Sequence, residues 1–270
     1  VVTVPAGGVA DRYARWNALL ELVAERGRVS VEEAAASLEV SPATIRRDFD
    51  QLAEQRLITR TRGAAVASGV PYDLPLRYKI AKHSAEKRRI GAVAAALVGP
   101  GTVVGLNGGT TTTEVARALV ARPDLPGGED SPPLTVVTNA LNIADELLRR
   151  SRMKIVVAGG VVRPRSYELV GPLGAGLLAE VTLDLVLLGV DAIDPRLGAA
   201  AHHEGEAAMN RMMVERSLQV VIVADASKLG RHAFAQVCPI DRVGTLVTDA
   251  TADPAVAAAF EAAGVRVILA

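Results

Sequence analysis

The chain has 270 residues, 50% of them apolar, and its 30 basic and 30 acidic side chains cancel to a formal net charge of zero. The apolar share supports a packed core and excludes disorder as the default, and the length suits one large domain or two smaller ones. The charge balance excludes a wholly basic nucleic-acid coat, and the scarcity of aromatic residues (3%) excludes stacking platforms for single strands.

The first segment, residues 9–66, reads as helix, helix, turn, helix and a β-prone end. Arg12 to Arg26 is helical, with Trp16, Leu19, Leu20 and Val23 on one stripe, and Gly27 stops it. Ser30 and Glu33 have capping-box spacing, and Ala34, Ala35 and Leu38 continue a short second helix. Glu39-Val40 is a turn. Ser41 is then the N-cap of a third helix, with Pro42 where a proline loses no hydrogen bond. Ile45, Phe49 and Leu52 share its apolar face. Arg47 points away from that face with Ala43, Asp50 and Gln51 beside it, while Thr44 and Arg46 lie on the flanks. Leu57 to Gly63 is a short β-prone run with Arg60 and Arg62 next to a glycine turn, in type a wing lying on a phosphate backbone. Between Ser41 and Ala65 the basic residues (Arg46, Arg47, Arg56, Arg60, Arg62) outnumber the acidic ones (Asp48, Asp50, Glu54), a modest local excess. A helix of this kind fits a major groove, and the expected DNA contacts are Ser41, Ala43, Thr44, Arg46, Arg47, Gln51, Arg60 and Arg62. The bland alternative is a three-helix bundle with ordinary surface arginines.

Residues 67–75, small and then rich in glycine and proline, read as a linker. From 76 to 270 strands and helices alternate. A helix over Tyr78–Leu97 is followed by strands at Thr102–Leu106, Leu134–Thr138, Lys154–Ala158, Leu185–Val190, Gln219–Ala224, Gly244–Thr248 and Val265–Leu269. Helices fall at Thr111–Ala121, Leu141–Arg150, Pro172–Val181, Glu206–Ser217 and Pro254–Ala263, and Ala121–Pro133 is a surface loop. Continuous apolar strands between amphipathic helices predict a mostly parallel α/β sheet covered on both faces. Ile90 to Thr110 is uncharged but broken by glycine and proline, so no membrane span is expected.

Such sheets bind ligands beyond the carboxyl ends of their strands, and the suspicious clusters fall there. Asn107-Gly108-Gly109-Thr110-Thr111-Thr112-Thr113 joins a strand to a helix. Its glycines, helix N-terminus and hydroxyls make a phosphate cradle in type; a glycine turn with a threonine cap is the alternative. It lacks a Walker lysine and dinucleotide spacing, so no nucleotide cofactor is expected. Asn139, Gly159-Gly160, Asp191, Glu206 and Lys228 stand at other strand ends and complete the expected effector contacts. Lys87 either adds charge from the preceding helix or is a solvated surface lysine. His202-His203-Glu204 fails the zinc-helix spacing, since the fourth residue after His203 is Ala207, so no metal is expected and the histidines are read as ligand-bonding. Cys238 is the only cysteine, which suits a reducing cytoplasm, and Val1–Ala10 lacks the pattern of a secretory signal.

At these residues the chain resembles a family. Gly27-Arg28-Val29-Ser30-Val31-Glu32-Glu33, Val40-Ser41, Thr44-Ile45-Arg46-Arg47-Asp48, Leu52 and Arg60-Thr61 are similar to the winged helix-turn-helix of DeoR-type bacterial transcription regulators. The wing departs from their Thr-His-Gly-Gly-Ala, reading Thr61-Arg62-Gly63-Ala64-Ala65 here. Residues Glu86 through Ile268 resemble the sensor domain of that family, which shares its sheet with ribose-5-phosphate isomerases. Gly105 to Thr111 resembles the isomerase phosphate loop, and Gly189 to Pro195, Glu206 and Ala224 to Lys228 resemble its acidic and lysine motifs. The isomerase lysine has no counterpart, because Leu197 to Gly205 contains none. The resemblance implies a cytoplasmic regulator and not an enzyme. It would repress sugar-catabolism genes, bind double-stranded operator DNA as a homo-oligomer (dimer or tetramer), respond to a phosphorylated sugar, and use no cofactor. An active sugar-phosphate isomerase with an accessory DNA-binding segment is the competing reading.

Overall fold

A computed structural model describes residues 9–55, 57–67, 76, 83–125, 132–148 and 153–270, and the chain divides into two compact units between Lys82 and His83. The 67–75 segment lies outside the described residues apart from Ala67, which ends a strand.

The first unit runs α1 (Val9–Arg26), β1 (Arg28–Ser30), α2 (Val31–Leu38), α3 (Pro42–Glu54), β2 (Ile58–Thr61) and β3 (Ala64–Ala67). Local chemistry sets the boundaries. The Glu33 N–H donates to Ser30 Oγ (3.1 Å) and the Ser30 N–H to Glu33 Oε2 (2.7 Å), so the capping box closes reciprocally. Glu39 ends α2 in the left-handed region at φ 53. Ser41 accepts from the Thr44 N–H at 3.1 Å, and Pro42 fills the first turn of α3. Trp16, Leu19, Leu20 and Val23 meet Ala34, Leu38, Ile45, Phe49 and Leu52 in one core.

Two features go beyond the sequence reading. Residues 28–30 form a strand, and with the wing they make a three-stranded antiparallel sheet in the order β1-β3-β2, Val29 opposite Ala65. Asp48, counted above among the charges of the reading surface, is instead buried against α1. It accepts from Trp16 Nε1 (2.7 Å) and from both Nε and Nη2 of Arg15. One carboxylate thus pins α1 to α3 and leaves the exposed face more basic than the residue count suggested.

The second unit is built on seven parallel strands. In chain order it comprises α4 (Ser84–Ala96), β4 (Val103–Leu106), α5 (Thr110–Ala121), β5 (Thr135–Thr138), α6 (Leu141–Leu148), β6 (Lys154–Val157), β7 (Val161–Arg163), β8 (Glu168–Val170) and α7 (Pro172–Ala179). It continues with β9 (Leu183–Gly189), β10 (Ala192–Asp194), β11 (Gly198–Ala201), α8 (Glu204–Glu215), β12 (Ser217–Val223), β13 (Ala235–Cys238), β14 (Thr245–Thr248), α9 (Pro254–Ala262) and β15 (Arg266–Leu269). The sheet order is β15-β14-β12-β9-β4-β5-β6. Alternate residues of each strand enter different cores. Leu185, Leu187, Val221 and Val223 pack with Ile90, Val115, Leu119 and Ile143 of α4–α6. Val186, Leu188, Val220 and Ile222 pack with Leu178, Met209, Met213 and Phe260 of α7–α9. This double burial explains the uninterrupted apolar strands.

The helix expected over Tyr78–Leu97 begins at Ser84, because His83 sits at φ 52 and cannot continue it; residues 78–82 lie outside those described. The α7 helix stops at Ala179, short of Val181. The β7–β8 hairpin and the small antiparallel sheet β10-β11-β13 were not anticipated, since their strands mix small, polar and apolar residues and lack the apolar runs of the parallel sheet.

Removing the Asp48 carboxylate strands the Trp16 N–H and the Arg15 guanidinium. Asp48→Ala should lower the stability of the first unit by about 1–3 kcal/mol. Trp16 is the only tryptophan, so its fluorescence in a urea titration reads this unit alone; an unchanged midpoint would refute the anchor.

Candidate DNA interface and effector site

In the first unit the expected DNA contacts divide into two kinds. Ala43, Arg46 and Arg47 are exposed on α3, with Thr44 and Gln51 half-buried beside them. Ser41 is exposed too, but its hydroxyl caps the helix and bonds Thr44 Oγ1 at 2.9 Å. Arg60 reaches back from β2 to Asp50 and to the Arg46 carbonyl (3.2 Å), bracing the wing strand against α3. Arg62 stands exposed at the β2–β3 turn beside Gly63, which turns at φ 66. Among the described residues neither Arg47 nor Arg62 enters an ion pair, so both present an uncompensated charge.

In the second unit, the end of β4 runs into α5 through Asn107, Gly108 and Gly109. Asn107 is buried, and its amide clamps the ends of β4 and β9. Its Nδ2 donates to the Gly189 carbonyl and its Oδ1 accepts the Gly189 N–H, each at 2.9 Å. It is therefore a brace in this structure. Gly109 is the N-cap of α5 at φ 145, a conformation open to glycine, and provides no side-chain cap. The first-turn N–H groups of α5, which include those of Thr110 and Thr111, have no acceptor within the helix. Thr112 and Thr113 donate their hydroxyls to the Gly109 carbonyl (3.2 and 2.6 Å).

Gly108 meets a residue the sequence reading missed. Its N–H donates to Glu168 Oε1 at 2.9 Å, and a Cβ at Gly108 would lie 2.4 Å from Glu168 Cγ. Glu168 opens β8 and is buried. Asn139, fully buried at the end of β5, turns its Nδ2 toward Glu168 Oε1 (3.5 Å) and the Leu169 carbonyl (3.2 Å). Glu206, in the first turn of α8, hydrogen-bonds Glu168 and pairs with Arg163 Nη1 at 2.9 Å. Burial, then the Glu206 charge, push the Glu168 carboxyl up to about 8, against the pull of the Gly108 N–H. Arg163 and Glu168 escaped notice because they lie on the unforeseen hairpin; the apolar Val161-Val162 before Pro164 was the available signal.

The remaining residues fall nearby in the fold but in different roles. Asp191 follows β9, accepts the His202 N–H at 2.9 Å, and has Lys228 Nζ 3.9 Å away. His203 caps α8 through Nδ1, accepting the Gly205 N–H at 3.1 Å, so its ring is engaged by its own helix. Gly159 is exposed, and Gly160 lets β7 approach the Val170 backbone. Lys87 is buried on α4, so it is not the solvated surface lysine of the simpler reading. Among the described residues no group of three or more His, Cys, Asp or Glu is arranged to hold a metal, and no helix is long and apolar enough to cross a membrane.

Residues 15–68 match the family model for the DeoR-like helix-turn-helix domain, and residues 82–250 match that for the DeoR C terminal sensor domain. The chain belongs to the DeoR family. It is 34% identical over 236 residues to the Glycerol-3-phosphate regulon repressor of Escherichia coli (strain K12), covering 87% of this chain and 90% of that one. It is 35% identical over 251 residues to the HTH-type transcriptional regulator GlpR of Haloferax volcanii, covering 93% and 94%. The structure also aligns with ribose 5 phosphate isomerase A from Neisseria gonorrhoeae over 53% of this chain and 52% of that one, at 18% identity and a TM-score of 0.38.

This DeoR-family chain is a DNA-binding transcription regulator, not an enzyme. Its Glu168–Glu206 pair has a measurable consequence. A carboxyl whose folded value is raised from 4.5 to about 8 favours the folded state at low pH, and that contribution is lost as pH rises through this window. The sensor domain should therefore melt at progressively lower temperature as pH rises from about 5 to about 8. Glu168→Gln, which cannot ionise, should flatten the slope in thermal melts followed by circular dichroism. An equally steep wild-type and variant slope would exclude Glu168 as its source.

Proposed function

We propose that this DeoR-family regulator is a repressor of sugar-phosphate metabolism, acting from the cytoplasm as a homo-oligomer, dimer or tetramer. In this reading α3 enters the major groove of operator DNA, with Ala43, Thr44, Arg46, Arg47 and Gln51 toward the bases. Arg62 lies on the phosphate backbone, and Ser41 and Arg60 hold the reading surface in shape. Two copies are needed because one such surface has few uncompensated charges, and symmetric half-sites double them.

A phosphorylated sugar or polyol controls DNA affinity by favouring one of two states. The single observation that carries this is the start of α5: a glycine N-cap without a side-chain cap, at the carboxyl end of a central strand. Its first-turn N–H groups at Gly109, Thr110 and Thr111 suit a phosphate. Asp191, Glu206, Lys228 and Asn139 supply polar groups for hydroxyls, Lys87 adds charge, and Asn107, Gly159 and Gly160 shape the rim. The names of the relatives, among them a repressor of a glycerol-3-phosphate regulon, agree with this ligand class.

On the DNA side, Arg47→Ala should cost about 1–3 kcal/mol at the correct operator and relax discrimination. Arg62→Ala should weaken binding evenly across sequences and flatten the salt dependence. Fluorescence titrations against operator and scrambled duplexes separate these outcomes; indifference to both substitutions would sink the assignment of α3.

On the effector side, substitution at Gly109 would strain the backbone, so Thr110 is the cleaner probe. Thr110→Asp puts a carboxylate in the first turn of α5, which the helix tolerates and a phosphate does not. This variant should still bind operator but ignore sugar phosphates. Wild type should be stabilised by at least one of them, and much less by the unphosphorylated sugar. Calorimetry on a panel including glycerol 3-phosphate and ribose 5-phosphate, paired with operator binding, checks both. Equal binding of unphosphorylated sugars would remove the phosphate from the reading.

A further inference from the structure

The phosphate loop already holds a carboxyl group. Glu168 Oε1 accepts the Gly108 N–H at 2.9 Å, in the residue just before the α5 N-cap. The fit is close. A Cβ on residue 108 would come within 2.4 Å of Glu168 Cγ and 2.8 Å of Cδ, so glycine stands there to admit this side chain. The backbone around Glu168 is tied down independently. The Leu169 N–H donates to the Asn139 carbonyl at 2.7 Å and the Leu141 N–H to the Tyr167 carbonyl at 2.9 Å. These bonds hold β8 beside the end of β5 without involving the Glu168 side chain.

A second observation points to a ligand at the same place. Asn139 Oδ1 is buried and accepts no hydrogen bond, although its Nδ2 is directed at Glu168 and Leu169. A buried amide oxygen without a donor is costly, and a ligand hydroxyl would satisfy it. Arg163 is also at hand, held at 2.9 Å on Glu206, the partner of Glu168.

We propose that Glu168 is a built-in competitor of the effector: its carboxyl group and the effector's phosphate exclude one another at the Gly108 N–H. This rests on the reading of the α5 N-terminus as the phosphate site, and it adds the device that sets the threshold for effector binding. The ligand class is a phosphate monoester bearing at least one neighbouring hydroxyl. Its phosphate takes the Gly108 N–H with the first turn of α5, while its hydroxyl reaches Asn139 Oδ1. The displaced Glu168 side chain leaves the loop. Effector strength is then set by a difference between two acceptors for one loop N–H, and not by the cradle alone.

The test uses the full chain and calorimetric titration with glycerol 3-phosphate, ribose 5-phosphate, glucose 6-phosphate and inorganic phosphate. Glu168→Ala removes the competitor and should tighten the best phosphate ester about tenfold, the upper scale of one displaced neutral hydrogen bond. Glu168→Gln keeps an acceptor for the Gly108 N–H and should stay within about twofold of wild type. Glu168→Ser repeats the truncation should the alanine variant fold poorly. Affinity that is unchanged or weaker in both truncations overturns the proposal, because a mere packing residue or a direct effector contact would give those results. Thr110→Asp separates this failure from failure of the parent reading. Binding that survives Thr110→Asp places the phosphate away from α5 and sinks both. Binding that is lost in Thr110→Asp but untouched by the Glu168 truncations sinks only the competition. If wild type and the truncations alike bind none of the four probes, both fall.

Discussion

A parallel strand buried on both sides has to send alternate side chains into two separate cores, and the sensor unit is organised by that requirement. Leu185 and Leu187 go one way while Val186 and Leu188 go the other, and β12 repeats the pattern with Val221 and Val223 against Val220 and Ile222. The buried middles of β9 and β12 hold no polar residue: Asp184, Ser217 and Gln219 stand near the starts of these strands, and Asn107, Asn139, Asp191 and Asp225 lie just beyond carboxyl ends. The polar rim is thus a by-product of how the core is built.

At that rim most polar groups serve one another before they could serve a ligand. Asn107 is spent on Gly189, Thr112 and Thr113 on the Gly109 carbonyl, and Asp191 on the His202 N–H. Asp225 caps its own turn through the Ser227 N–H, and Asp249 holds the Ala226 N–H at 2.8 Å. These bonds brace the turns that carry Lys228 and Asp191. What such a frame leaves for recognition is backbone N–H groups at a helix start and the Glu168–Glu206–Arg163 group.

The DNA-binding unit applies similar economy with fewer residues. Asp48 gives its carboxylate to Trp16 and Arg15 inside the unit, while Asp50 neutralises Arg60 at the wing. Acidic residues next to the arginines therefore act as struts, and on α3 and the wing the described arginines left outside any ion pair are Arg47 and Arg62, since Glu32 stands 3.9 Å from Arg46. A formal net charge of zero is compatible with a basic reading face because the opposing charges are turned inward or paired.

Much of this was legible before any coordinates. Caps are local: Ser30 with Glu33, and Ser41 with Pro42, act within one turn, so the helix starts followed from neighbours in sequence. Continuous apolar runs and helix stripes are patterns of near neighbours, so a parallel sheet covered on both faces followed as well. Contacts between residues far apart in sequence were not legible. Val29 in a third strand of the wing sheet, Asp48 turned toward Trp16, and Glu168 on a hairpin folded over Gly108 are of this kind. The residue types at the rim were set by the sequence. Which of them brace the fold, and which are left unengaged, was decided by the tertiary structure, because a hydrogen bond depends on which group the fold brings within about 3 Å.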